Sequence, residues 1–456
     1  MLTRIEIDGF KTFEGFAVDL GPFLVTLGPN ASGKSNLFDA VRLLSRLAGQ
    51  DLRSAVKGLR GEPHELFRRL PDGAPGVRIS FAAEVLLDPE VRDPWGAAVQ
   101  VSHSRIRYEV VIERRQDDRG IERLVVTREQ ALPIPAQEDR WRRAGRPVSH
   151  GFRKAFMKYG RRTPWLETLV SNGRSSFEIR QDGRAGRARS AEAAEATILS
   201  SVTSAEFPHL FALREELRSW RFLQLDPAGL RRPSPTTAPD ELEPDGSNLA
   251  TVLARLKAET ATDARPRGAL ADIAADLASL IPGILDLEVE PDAHTREYRI
   301  DIGMRDERPF SARVVSDGTL RVLALLTLLH DPRRRGLVCF EEPENGIHHA
   351  RLKAMIGRLR ELVTDPSDPD VDEKEPLYQM LLNSHSPVVL SCLDSGDMVF
   401  ADLVSVVDGA AGTITRKTRI RPVRTKEQGE LQPEEASDYV GTFEVQKYLS
   451  SVDRAD

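Results

Sequence analysis

Cysteine is nearly missing from this chain: Cys339 and Cys392 are its two thiols in 456 residues. Two are too few for a disulfide framework, and their spacing suits no zinc site, so both read as small core residues. No apolar run approaches the eighteen or so residues of a membrane-spanning helix, and the N-terminus shows neither the charged start nor the apolar stretch of a secretory signal. Heptads never continue for three or four repeats, which argues against a long coiled coil. The expectation is a soluble, cytoplasmic protein with no membrane partner, long enough for two or three units that each bury a core.

Charge is scarce in net terms, at −6, but unevenly spread. Between residues 103 and 190 there are 21 Lys or Arg against 11 Asp or Glu, a local balance of +10 that leaves −16 for the remainder. Such a block suits contact with DNA or another nucleic acid, or equally a solvated arginine-rich surface, and its spacing matches no recognition module.

Periodicity divides the chain into three stretches. Near the start, Leu2, Ile5 and Ile7 have strand spacing, as do Phe16 to Leu20, and Phe23 to Leu27 is an apolar run too short for a helix. After it, Leu37, Ala40, Val41, Leu44 and Leu47 recur at helical spacing. Residues 77–87 and 105–128 read as further strands. Residues 132–195 show little periodicity, with Phe177 to Arg180 as one strand, while 186–222 and 247–281 read as helical around a Pro-rich loop at 227–244. Strand and helix then alternate: a helix over 318–329, a buried strand over 337–340, a helix over 352–363 and a short apolar run over 378–382. This pattern predicts an α/β chain whose two ends form one unit, 1–130 with 284–456, interrupted by a basic and helical insert at 131–283.

The chemistry lies in four strings. Gly28, Pro29, Asn30, Ala31, Ser32, Gly33, Lys34 and Ser35, with Asn36 behind them, match the P-loop between a strand and a helix. Its glycines let backbone amides approach a phosphate, Lys34 reaches the β and γ phosphates, and Ser35 ligates Mg2+. Such a site needs an acid for the metal and a base for the attacking water. Glu341 and Glu342, directly after an apolar strand, supply these in order. Ser316, Asp317 and Gly318 open a helix, with Ser316 or Asp317 suited to cap it, and a helix start is also an anion site. His385 follows another strand end within reach of a γ phosphate. One nucleotide site is thus expected from residues about three hundred positions apart.

Together Gly28–Asn36, Ser316–Arg321, Phe340–His348 and Ser384–Pro387 resemble the ATPase heads of the ABC-type superfamily, in the AAA-labelled branch of RecF-like, SMC-like and overcoming-lysogenization-defect (OLD) ATPases. Gly9 to Phe13 is similar to the opening strand of SMC and RecF heads. The resemblance covers roughly residues 1–130 and 285–400. It implies an ABC-type head, a mixed sheet with flanking helices plus an N-terminal antiparallel sheet, carrying an inserted, mostly helical arm. It also implies ATP and Mg2+ sandwiched between two copies, so that Ser316 and Gly318 meet the γ phosphate of the partner's site. His385 becomes the switch histidine, Asn345 to His348 a contact across the dimer, and Glu342, His385 and Lys34 the catalytic set. Such heads often bring a glutamine to the metal, and Gln130 is the candidate here.

Two departures, Ser-Asp-Gly-Thr in the signature and glutamate as the first acid, are similar to the OLD-like branch. No carboxylate cluster after His385 resembles that branch's Toprim nuclease, so any nuclease or other effector is expected on a separate protein. The resulting expectation is an ATP-hydrolysing, ATP-dimerised engine of DNA maintenance or phage defence. Two alternatives remain: a transporter-type ATPase subunit, and a slow ATP-dependent assembly switch. The signature form, the long insert and the basic block weigh against the transporter.

Overall fold

The computed structural model describes residues 1–456 apart from 71, 94, 117–118, 144–146, 181–186, 306–307, 409–412, 425–438 and 453–456. Among the described residues, two sheets organise the chain. The first is antiparallel and eight-stranded, running Arg187–Ser190, Arg174–Ile179, Leu166–Ser171, Glu122–Pro133, Arg105–Gln116, Arg78–Leu86, Leu2–Asp8 and Phe16–Asp19. The second is mixed and seven-stranded: Arg221–Leu223, Gly336–Glu341, Tyr378–Ser384, Phe23–Leu27, Met398–Asp408, Thr413–Arg424 and Val440–Gly441. Its first five strands are parallel, and the hairpin return Thr413–Arg424 is antiparallel.

The parallel part of the mixed sheet is buried on both faces, as a parallel sheet covered by helices must be. Leu24, Leu337, Cys339, Leu381 and Val399 face a core shared with the helix Lys34–Leu47, the helix Pro208–Arg218 and the inner face of the antiparallel sheet. Phe23, Val25, Leu27, Val338, Phe340, Met380, Leu382 and Phe400 face the opposite core, built with the helices Leu249–Thr260, Ala269–Leu280, Asp317–Leu329 and His349–Leu362. This explains why these strands read as unbroken apolar runs rather than alternating ones.

The stretch 131–283 is divided between these layers. Leu166–Ser171, Arg174–Ile179 and Arg187–Ser190 widen the antiparallel sheet, Arg221–Leu223 edges the mixed one, and two helices cover its far face. Where 186–222 was expected to be helical, Arg187–Ser190 is instead an exposed edge strand, paired to Ser176–Ile179. Backbone pairing, not side-chain burial, holds it, so apolar periodicity carries no trace of it.

Part of the basic block is paired with carboxylates within the antiparallel sheet. Arg107 lies against Glu6, Glu84 and Glu109, Arg114 against Glu122, Arg115 against Glu113, Arg128 against Glu109, and Arg180 against Glu167 and Glu178. Arg105 is fully buried, its Nε and Nη2 donating to Asp139 at 2.8 and 3.0 Å and its Nη1 to Thr3 Oγ1 at 2.9 Å. A buried pair of this kind is far more expensive to break than to replace. Arg105→Met, which removes the cation from the buried Asp139 carboxylate and leaves it the Trp141 N–H and the Tyr159 hydroxyl, is expected to lower unfolding free energy by about 3–5 kcal/mol in chemical denaturation, and a loss under about 1 kcal/mol would contradict the pairing.

Candidate functional site

The strand Phe23–Leu27 ends on a loop whose backbone is set by close approach. Gly33 has φ 96°, and a side chain there would overlap Thr418 Oγ1; one on Gly28 would overlap the Ala401 carbonyl oxygen. Ala31 also takes a left-handed φ of 63°. Thr418 Oγ1 lies 3.1 Å from the Ser32 carbonyl and 2.7 Å from Thr12 Oγ1, to which Asn36 Nδ2 donates at 2.9 Å. The loop is thereby tied to the opening segment and to the far hairpin. Its amides and the start of the helix Lys34–Leu47 form an anion cradle.

Lys34 is folded into this loop, with Nζ donating to the carbonyl oxygens of Gly28 at 2.5 Å and Pro29 at 2.8 Å. Burial lowers its pKa to about 8, against the opposing pull of Glu342, Glu344 and Glu341. Those carboxylates sit at the end of the strand Gly336–Glu341. Glu342 has a left-handed φ of 53°, its N–H donates to the Asn383 carbonyl at 2.9 Å, and its Oε2 accepts from Asn345 Nδ2 at 2.6 Å. A bulky residue held with positive φ at the end of a buried strand is strain maintained by its surroundings, a mark of functional positions.

His385 Nδ1 lies 3.5 Å from Glu342 Oε1 and 3.7 Å from Glu344 Oε1. Glu344 fixes this corner, since its Oε1 accepts from Ser384 Oγ at 2.6 Å and from the His385 N–H at 3.2 Å. Between the loop and the acidic end is a cleft of about 360 Å³ lined by residues 30–36, Arg60, Glu341, Glu342 and Asn383. Within it, Ser35 and Glu341 are hard oxygen donors of the kind Mg2+ takes alongside nucleotide phosphates.

Two lining residues carry no sequence motif. Arg60 Nη2 donates to the Ser35 carbonyl at 2.9 Å and to Glu341 Oε1 at 3.2 Å, while its Nε donates to Asp39 Oδ2 at 3.2 Å. Lys11 Nζ also donates to Asp39, at 2.6 Å, so the buried carboxylate has two cations. The glycines at 58 and 61 that flank Arg60 were its one visible signal. Asn383, on the strand Tyr378–Ser384, had none.

Gln130 is not brought to the cleft. It sits on the outer face of the antiparallel sheet opposite Glu109, its Oε1 accepting from Arg128 Nη2 at 2.8 Å. Strand alternation gives the inward place to its neighbour Glu129, which is buried and accepts from the N–H groups of Ile198 and Leu199 and the Tyr108 hydroxyl. Ser316, Asp317 and Gly318 do not line the cleft of their own chain either. Ser316 Oγ caps the helix Asp317–Leu329 by accepting from the Thr319 N–H at 3.3 Å, and Asp317 pairs with Arg231. A side chain on Gly318 would overlap the Gly346 carbonyl oxygen, so this glycine has a packing reason within one chain.

The family described as "AAA domain, putative AbiEii toxin, Type IV TA system" matches residues 23–391. Among solved structures, the chain is similar to an SmcHead bound to the C-winged helix domain of ScpA, at 14% identity and TM-score 0.46, over 95% of this chain and 99% of that one. It is also similar to the Smc head domain with an extended coiled coil bound to the C-terminal domain of ScpA from Pyrococcus furiosus, at 12% identity and TM-score 0.43, over 92% and 96%. The SMC head domain from Thermotoga maritima matches at 12% identity and TM-score 0.36, over 93% and 99%.

Lys34 gives the site a pH signature. A side chain with pKa about 8 is largely deprotonated at pH 9, and a bound phosphate raises that pKa, so binding at pH 9 takes up a proton. ATP affinity measured by calorimetry is expected to be about tenfold weaker at pH 9 than at pH 7, with proton uptake revealed by buffers of different ionisation enthalpy. Affinity that is flat across this range would mean that the Lys34 ammonium does not meet the phosphates.

Proposed function

This chain belongs to the AAA domain family of that description, and we propose that it is an ABC-type ATPase that binds ATP with Mg2+, hydrolyses it, and works as a head-to-head homodimer. The loop amides and Lys34 hold the phosphates. Ser35 and Glu341 hold Mg2+, which when bound offsets phosphate charge that the nearby carboxylates would otherwise repel. Glu342 takes the proton of the attacking water, and His385, between Glu342 and Glu344, faces the γ phosphate. The partner copy supplies Ser316 and the start of its helix.

The observation that carries this reading is the convergence of Lys34, Glu341 and Glu342 on one cleft, with Glu342 held at φ 53° beside His385. The exposure of Ser316 and Asp317, away from their own cleft, supports their use by a second copy. The family's description, which names a putative toxin of a type IV TA system, supports a role in defence. We place it in phage defence or DNA maintenance, with the effector on a separate chain.

Removing the base while keeping its shape tests the chemistry. Glu342→Gln is expected to lower ATP turnover by about 10²–10⁴-fold and to accumulate an ATP-bound dimer in sedimentation experiments, whereas Lys34→Ala abolishes nucleotide binding. Unchanged turnover in Glu342→Gln would rule out the assigned base.

A further inference from the structure

We propose that Asn383 aligns the attacking water with the γ phosphoryl group. This inference rests on the ATPase reading above and adds a residue to it. Asn383 is 2% exposed and lines the cleft, yet neither its Oδ1 nor its Nδ2 has a hydrogen-bond partner. A buried amide with no partner is destabilising and rare in native structures.

The same strand shows how a structural amide is treated. Gln379, four residues earlier and also buried, accepts from the Leu2 N–H and donates to the carbonyl oxygens of Leu2 and Gly21. Asn383 lies in register between Glu341 on one neighbouring strand and Thr26 on the other, so its side chain shares their face of the sheet. Its own carbonyl oxygen accepts the Glu342 N–H, which ties its backbone to the base.

Other amides near the site are engaged: Asn36 Nδ2 donates to Thr12, and Asn345 Nδ2 to Glu342. Gln130 is on the wrong face of another sheet. Asn30 also lines the cleft but is exposed to solvent, so among the described residues Asn383 is the buried amide there with both of its functions unpaired.

An amide offers an acceptor and a donor on one rigid group, which suits holding a nucleophile and an electrophile together. Oδ1 accepts one hydrogen of the water while Glu342 removes the other as a proton. The water oxygen bonds to the γ phosphorus, the bond to the β–γ bridging oxygen breaks with its electron pair staying on ADP, and Nδ2 donates to a γ oxygen. The products are ADP and inorganic phosphate, and Glu342 then releases its proton.

The test is Asn383→Leu, similar in shape but without polar atoms, read in three ways. Turnover is expected to fall about 100-fold or more, as when a positioned donor is lost. ATP affinity, from fluorescent-nucleotide titration, should stay within about threefold, because Lys34 and the loop carry ground-state binding. The melting temperature of the nucleotide-free protein should be unchanged or raised, because an unpartnered amide has been removed. Asn383→Ser, which keeps a hydroxyl donor and acceptor, should recover about tenfold of the lost turnover. A Leu variant with wild-type turnover, or one that loses turnover and melting temperature together, overturns the assignment to Asn383 alone. A wild-type protein that binds ATP without hydrolysing it overturns the ATPase reading and this inference with it.

Discussion

The pairing of Phe23–Leu27 between Tyr378–Ser384 and Met398–Asp408 governs the geometry of the whole site. Leu27 lies opposite Ser384 and Phe400, and Glu341 lies opposite Asn383, so three parallel strands end at one level. The phosphate loop, the acidic pair and His385 each leave one of those ends. A slip of one residue would turn apolar side chains between two different cores and displace the loop from its acids. Burial on both faces makes that slip expensive, and it is this double burial that lets residues some three hundred positions apart form a cleft.

Around the cleft, carboxylates outnumber cations, so the side-chain charge does not favour an anion. Lys34 is desolvated, Arg60 is held by Ser35, Asp39 and Glu341, and the carboxylates of residues 341, 342 and 344 stand opposite. A triphosphate placed here meets its own sign. In the proposed reaction, backbone amides at the helix start and a divalent ion held by Ser35 and Glu341 would make its binding favourable and would polarise the phosphoryl group for attack.

Much of this was legible in the sequence because it is local. The loop needs glycine where φ is positive and where another backbone or side chain approaches, as at Gly33 against Thr418, and such needs leave a fixed spacing. The strand Gly336–Glu341 and the paired acids after it were likewise readable as an apolar run and its end. Gln130 went to the wrong place because strand parity, invisible without the partner strands, turned it outward and Glu129 inward. Arg60 and Asn383 left little or no pattern, since each matters only through neighbours supplied by distant elements. The edge strand Arg187–Ser190 was obscured by its charge, which pairing tolerates and periodicity does not register, whereas Arg174–Ile179 was read in part through Phe177 to Arg180.

The helix that begins at Ser316 is capped, exposed at its start, and outside the cleft lined by its own phosphate loop. That separation turns the signature from an internal part into a surface that a second copy can use. Two variants, Lys34→Ala and Ser316→Arg, disable opposite halves of such a composite site. Each alone should be inactive. Mixed in equal amounts, they should recover about a quarter of wild-type ATP turnover, because a closed two-fold dimer built from one of each contains one intact site. A mixture that stays inactive, or a Ser316→Arg protein that turns over ATP normally by itself, would contradict the composite site.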